Sequence, residues 1–161
     1  MAIKLGIEKV LDRAVGLGHL RRESDECPPG LPHIVGDAAQ LRQVIHNLLQ
    51  NAQDSLADTA EPRITLSTRM ADDSIRLVVT DNGAGFPDHL IRRAFEPYVT
   101  TKKKGTGLGL VIVKKIIEEH GGRVTIGNAE PGGACVTLTL PAAHEHEQHE
   151  KQNMQDIAAA A

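Results

Sequence analysis

The segment LRQVIHNLLQNAQDSL places Asn47, Asn51 and Asp54 at i, i+4 and i+7. On a helix turning about 100° per residue these side chains share one narrow stripe. Asparagine is a mediocre helix former because its amide competes for backbone partners, so two of them on one stripe ask for a reason. Their oxygens are hard donors of the kind Mg²⁺ takes one or two at a time, beside phosphates and water. A second group follows in IRLVVTDNGAG. Alternation puts Asp81 on the same strand face as Ile75, Leu77 and Val79, so its carboxylate points toward apolar surroundings and must find a donor there. Gly83 and Gly85 come directly after it, at places suited to positive φ or to close approach of a ligand. A third group is TTKKKGTGLGL, in which three lysines precede Gly105, Gly107 and Gly109 at the opening of a helix. Unpaired N–H groups and the helix dipole attract phosphate at such a terminus.

Each group also has an ordinary reading: a solvated helix edge, an Asp-Asn-Gly turn, a Gly-Lys surface loop. The third is not a P-loop, since no G-K-S/T closes it, nor a dinucleotide fingerprint, since no strand runs directly into it. In their order along the chain they make a set. An oxygen stripe for a metal, a buried acid for the amine edge of a base and an amide nest for phosphates are the parts of a Mg²⁺–nucleotide site.

The elements that must hold these groups follow from periodicity. Asp37 followed by Gln40 reads as a capping box, and Leu41, Val44, Ile45, Leu48, Leu49, Ala52 and Leu56 make one apolar helical face, so a helix is expected from there to about residue 58. Residues 63–69 and 75–81 alternate as strands around a turn at Asp72–Asp73, and residues 82–109 are glycine-rich and loop-like. A second helix is expected over 108–120, ending at Gly121–Gly122 with His120 placed as a mildly favourable cation at its C-terminus. Strands near 123–127 and 134–140 close the domain, with Pro141 as the stop. Ile3, Ile7, Val10, Leu11 and Ala14 have helical spacing and predict a lead-in helix over 3–15, and RRESDECPPGLP reads as a polar connection.

Composition bounds the rest. The chain has 161 residues, 40% hydrophobic and only 2% aromatic, enough for one domain with a core of Leu, Ile and Val. No apolar run approaches a membrane span, and the N-terminus is no signal peptide. Net charge is −3, and residues 142–161 account for it with four acids and one base. The balanced remainder gives no electrostatic reason to expect nucleic acid. Cys27 and Cys135 have no C-x-x-C spacing, which points to a reducing, cytosolic compartment. The tail HEHEQHE reads as solvated rather than chelating.

With these residues in view, the sequence resembles the ATP-binding domain of sensor histidine kinases, a group shared with DNA gyrase, a heat-shock chaperone ATPase and MutL. The resemblance covers about residues 31–141: LRQVIHNLLQNAQDSL resembles the N box, DNGAG the G1 box, FEPYVTTKKKGTGLGL the F and G2 boxes, and PGGACVTLTLP the last strand. The short lid between Phe95 and Gly105 is most similar to the nitrogen-regulation class. The resemblance implies a two-layer α/β sandwich, with a mixed, mainly antiparallel sheet covered by helices. It implies ATP and Mg²⁺ as cofactors, Asn51 as the metal ligand, Asn47 beside the phosphates, Asp54 on the pocket wall and Asp81 as acceptor for the adenine amino group. Gly83 and Gly85 would let the chain pass close to the base. Thr100, Thr101, Lys102, Lys103 and Lys104 would form the lid, with Lys102 and Lys103 joining Asn47 and Asn51 in catalysis. Gly105, Thr106, Gly107 and Gly109, with the amides of Leu108 and Leu110, would hold the phosphates. Ala134 departs from the family, which often carries Thr there for a contact toward adenine.

The resemblance leaves three activities to weigh: phosphoryl transfer to histidine, ATP hydrolysis, and nucleotide binding without chemistry. The hydrolases place a catalytic Glu four residues before the metal Asn; here that position is Asn47, and a carboxamide cannot take a proton from water. No damage to the metal or phosphate elements supports the binding-only reading. Kinase is therefore favoured. The acceptor histidine of the family precedes an acid on an upstream helix. His19, His33, His46, His89 and His120 lack that acid, while His144, His146 and His149 have it but lie downstream. The expected organisation is a lead-in helix and linker over 1–30, the ATPase domain over 31–141 and a disordered tail over 142–161. The expected partners are a histidine-bearing dimerisation domain of the same parent and a response regulator receiver domain, with no nucleic acid and no direct membrane contact by this domain. The expected location is the cytoplasm, for a parent compatible with a membrane anchor.

Overall fold

Asp37 starts the long helix. It is extended, at φ −87° and ψ 116°, and its Oδ1 accepts from the N–H groups of Ala39 (2.8 Å) and Gln40 (3.1 Å). Those are two of the donors that every helix start leaves unpaired. The computed structural model describes residues 3–5, 20–22, 33–100 and 105–143, the first two stretches as backbone only. Along the chain run β1 (Ile3–Leu5), β2 (Leu20–Arg22), β3 (Ile34–Gly36), α1 (Ala38–Ser55), β4 (Ile64–Ala71), β5 (Ser74–Asp81), α2 (Asp88–Ile91), α3 (Gly109–Glu119), β6 (Arg123–Asn128) and β7 (Ala134–Pro141).

One sheet has the order β2-β4-β5-β7-β6, with β2 parallel to β4 and every other pair antiparallel; β1 and β3 form a separate antiparallel pair. In β5 the buried residues are Ile75, Leu77, Val79 and Asp81, and in β7 Ala134, Val136, Leu138 and Leu140. This alternation faces one side of the sheet toward α1 and α3. The apolar stripe of α1 is buried as its spacing requires, and Val113, Ile116 and Ile117 of α3 join it in one core. The result is the expected two-layer α/β sandwich.

Several expectations change. The lead-in helix over 3–15 does not begin as a helix: Ile3–Leu5 is a strand paired with β3, where ladder hydrogen bonds outweigh the weak helical periodicity of an isolated stretch. The remaining positions of that helix lie outside the described residues. Within the polar connection, Arg21 and Arg22 belong to β2. The capping box is only half present. The N–H of Asp37 donates to His120 Nε2 (3.0 Å), where Gln40 was expected to reach back. His120 Nδ1 lies 2.7 Å from the Ile116 carbonyl. His120 thus ties the end of α3 to the start of α1, with Nε2 as the acceptor and Nδ1 beside a carbonyl of the last turn. The sheet also holds the chain slightly beyond Pro141: Ala142 donates to the Asp73 carbonyl and Ala143 to that of His33.

Two stability outcomes follow. The two backbone donors, Gln40 first and then Ala39, hold the Asp37 carboxyl below the usual carboxylate range. A depressed folded pKa contributes stability that is complete above the ordinary carboxylate range and is lost as pH falls through the folded value. Asp37→Asn keeps an acceptor but does not titrate, so its urea midpoint should change less than wild type between mildly and strongly acid pH. Thr68 is 1% exposed on the core face of β4, and its Oγ1 has no partner. Thr68→Val keeps the shape and removes the unpaired hydroxyl, and should raise stability by about 1 kcal/mol in urea unfolding.

Candidate functional site

Asp81 ends β5 and is 7% exposed. Its Oδ1 accepts three hydrogen bonds, from Ser55 Oγ (2.9 Å), the Gly83 N–H (2.9 Å) and the Ala134 N–H (3.2 Å). The donors come from the end of α1, the turn after β5 and the start of β7. None of these bonds uses Oδ2, so the carboxylate is fixed through one oxygen and keeps the other for the cavity that Asp81 lines.

That cavity, about 390 Å³, lies between α1, the strand ends and the start of α3. Its apolar wall is Val79, Phe86, Leu90, Ala94 and Val136, which suits a flat ring. Asn47, Asn51 and Asp54 line the other side, so the stripe read from their spacing faces the cavity as a group. The Asn47 Nδ2 is buried and has no hydrogen-bond partner. A buried donor without an acceptor costs roughly 1–3 kcal/mol, and an anionic oxygen in the cavity would remove that cost. A Cβ placed on Gly109 would stand 3.6 Å from Asn51 Nδ2 and 3.7 Å from its Oδ1. The Asn51 carboxamide therefore sits against the first turn of α3. No side chain caps that turn at Leu108, whose own N–H reaches Thr106 Oγ1 at 3.4 Å. Asp54 Oδ1 accepts from Gln50 Nε2 (2.9 Å) one turn earlier, which orients its carboxylate.

The glycines divide by role. Gly85 has φ 73° and lines the cavity. Gly83 is required by the protein itself: an added Cβ would come 2.5 Å from the Ser55 carbonyl, so its absence lets the turn close onto α1. Gly107 has φ 65°, and a Cβ there would lie 2.6 Å from the Tyr98 carbonyl carbon. Its carbonyl accepts from the Tyr98 N–H (3.2 Å), which pins together the two ends of the expected lid. Thr100, Gly105, Thr106 and Leu110 also line the cavity, whereas Gly83 and Leu108 do not. Thr101, Lys102, Lys103 and Lys104 lie outside the described residues.

Two residues escaped the sequence reading. Ser55 was legible, four residues after Asn51 on the same stripe. Asn128 was not: its Oδ1 accepts from the Phe86 N–H (2.7 Å) and its Nδ2 donates to the Phe86 carbonyl (2.8 Å), a clamp across 42 residues of sequence that no local pattern announces. Ala134 meets Asp81 through its backbone N–H, a contact that needs no hydroxyl.

The family described as "Histidine kinase-, DNA gyrase B-, and HSP90-like ATPase" matches residues 36–144, the span that holds the cavity. The chain belongs to this family. Within it the domain is of the ATP-binding type found in sensor histidine kinases. It is similar to an NtrY-like sensor histidine kinase of Rickettsia conorii, 48% identical over 102 residues, which is 63% of this chain and 17% of that protein. It is also similar to the sensory histidine kinase/phosphatase NtrB of Rhodobacter capsulatus, 36% identical over 155 residues, which is 86% of this chain and 43% of that protein. Among solved structures, the mycobacterial sensor histidine kinase MprB aligns with TM-score 0.74 at 25% identity, covering 88% of this chain and 98% of that one. The chain thus spans less than half the length of these two relatives. No helix among the described residues is long and apolar enough to cross a membrane.

Asn128→Ala should free the Phe86 segment of this ATPase-family domain. Hydrogen exchange at the Phe86 amide should rise toward the rate of an unprotected loop, while the Ala134 amide, held by Asp81, keeps its protection.

Proposed function

We propose that this domain binds ATP with Mg²⁺ and transfers the γ-phosphoryl group to a histidine on a dimerisation domain of its parent protein, for onward transfer to a response regulator receiver domain. The observation that carries the reading is the polarity of the cavity. An acid fixed through one oxygen stands at the ring-shaped end, and an unpaired amide donor, a second carboxamide and an uncapped helix start stand at the other. Adenine at Asp81 and phosphates beside Asn47 and α3 satisfy both ends.

In this reading Asn51, whose carboxamide lies against the start of α3, is the protein ligand of Mg²⁺, with Asp54 beside it on the wall. Bound Mg²⁺ supplies neutralisation of phosphate charge. Asn47 Nδ2 donates to a phosphate oxygen, and the amides of Gly109 and Leu110 with Gly105, Thr106 and Gly107 cradle the rest; the Leu108 N–H is turned to Thr106 Oγ1 instead. Thr100, Thr101 and Lys102–Lys104 belong to the lid, where Lys102 and Lys103 offset charge on the transferring group. Phosphoryl transfer runs through a loose transition state, so positioning and charge neutralisation are the main contributions. Neutral imidazole brings its own lone pair, so the site needs no strong base. This disfavours hydrolysis: position 47, where the hydrolases carry a catalytic Glu, is a carboxamide that cannot take a proton from water. No histidine lines the cavity among the described residues, which agrees with an acceptor elsewhere in the parent. A cytoplasmic location fits an ATP-dependent kinase.

The test is incubation of the full chain with γ-labelled ATP and Mg²⁺, with and without the parent's dimerisation fragment. The chain alone should not become labelled. The added fragment should acquire an acid-labile, alkali-stable phosphoramidate, slowly, because separation forfeits effective concentration. Rapid phosphate release without the fragment would support hydrolysis instead. Calorimetry checks the site: Asp81→Asn should weaken ATP binding about tenfold or more, since its amide brings an unmatched donor. Asn51→Ala should remove most of the Mg²⁺-dependent part of the affinity while binding in its absence changes little.

A further inference from the structure

The side of the sheet turned away from the helices carries a row of arginines. Arg69 on β4 stands opposite Arg76 on β5, Arg76 opposite Thr139 on β7, and Thr139 opposite Arg123 on β6. Alternation places all four on the outer face, since their strand neighbours Thr68, Ile75, Leu77, Val124, Leu138 and Leu140 are buried on the other. Arg69 and Arg123 are exposed and Arg76 is half-buried. No carboxylate lies on this face of β4 to β7; Asp72 and Asp73 sit in the turn beyond it, and no ion pair joins any of the three arginines among the described residues.

Two features of the row are unfavourable for the domain by itself. Like charges directly opposite on neighbouring strands repel. The Arg76 Nε is buried without a hydrogen-bond partner, and a buried donor left unpaired is costly. Nothing within the described chain offsets either. A local rule broken without compensation is expected where a surface serves a partner.

We propose that this row is a docking surface for a partner protein presenting an acidic α-helix. The spacing favours that occupant. Strands lie about 4.8 Å apart, so Arg69 and Arg76 are one spacing apart and Arg76 and Arg123 two, about 9.6 Å. A helix laid along the row presents carboxylates at i, i+4 and i+11, separated along its axis by about 6 Å and 10.5 Å. Guanidinium groups pair with carboxylates through two parallel hydrogen bonds, and a rotamer change at Arg76 would bring its buried Nε to such an acceptor. A row spanning four strands suits an elongated partner more than a small anion, which one or two guanidinium groups would hold. Outside residues 142–161 the chain is charge-balanced, so the positive charge is local to this face and gives no general attraction to nucleic acid.

The experiment uses the full chain and a labelled alanine-rich helical peptide bearing Glu at i, i+4 and i+11, with a Gln-substituted peptide as control. Anisotropy should report binding of the Glu peptide alone, weakening with added salt. Amide shifts should map to the outer-face positions of β4, β5 and β7. Arg69→Gln and Arg123→Gln, both at exposed positions that folding does not need, should each weaken binding about threefold. Arg76→Thr should weaken binding while raising the thermal midpoint of the free protein, a combination that a merely structural arginine would not give. ATP affinity should be unchanged in all three. Equal binding of the Gln peptide, variants that bind as wild type, an Arg76→Thr protein that loses stability, or a single-stranded oligonucleotide that binds more tightly with the same arginine dependence would each overturn the proposal.

Discussion

One buried carboxylate oxygen organises the site end of this domain. Asp81 Oδ1 sits at the edge of an apolar core, where an ionised group without donors would not be tolerated. Its three donors belong to segments far apart in sequence: Ser55 closes α1, Gly83 follows β5, and Ala134 opens β7. The need to satisfy one atom thus joins the helical layer to the sheet at the place where the cavity opens. It also explains the tight packing around it. Gly83 has no room for a Cβ against Ser55, and Gly133 has none against the Asp81 carbonyl. Because the obligations fall on a single oxygen, the acid is rigid and still has acceptor capacity to offer.

The cavity built on that anchor has two unlike ends, and their difference arises from element type. A strand end supplies the acid, since alternation turned Asp81 inward with the apolar residues of β5. Helices supply the polar end. The stripe of α1 faces the first turn of α3, where N–H groups with no side-chain cap carry partial positive charge. Phe86, Leu90 and Val136 give the cavity an apolar wall.

What the sequence disclosed, and what it did not, follows from the range of the interactions. The apolar face of α1, the β4–β5 hairpin, α3 and the last two strands rest on local periodicity and turn chemistry, and they appear within a few residues of where the pattern put them. Asn47, Asn51, Asp54 and Asp81 share a cavity because helix and strand periods fixed their directions before any tertiary contact was known. The three-residue strands β1, β2 and β3 were missed because so short a run shows no alternation and owes its conformation to its partner. Asn128 and the acceptor role of His120 were hidden for the same reason: their partners lie 42 and 83 residues away. Gly83 was legible as a glycine that had to be one, but the object it makes room for is Ser55 rather than a ligand.

The bond from the Asp37 N–H to His120 has a reach beyond the cap it completes. It ties the start of α1 to the end of α3, at the opposite end of the helix pair from the place where Asn51 meets Gly109. Between Asp37 and Asn51 lie about 21 Å of rigid helix. With one end bolted, α1 becomes a ruler. Inserting or deleting a single residue along it would turn the Asn51 carboxamide by about 100° and slide it by about 1.5 Å, carrying it away from the first turn of α3. The number of residues between cap and carboxamide is therefore as much a part of the site as the carboxamide itself, and an imidazole 83 residues along the chain sets the zero of the scale.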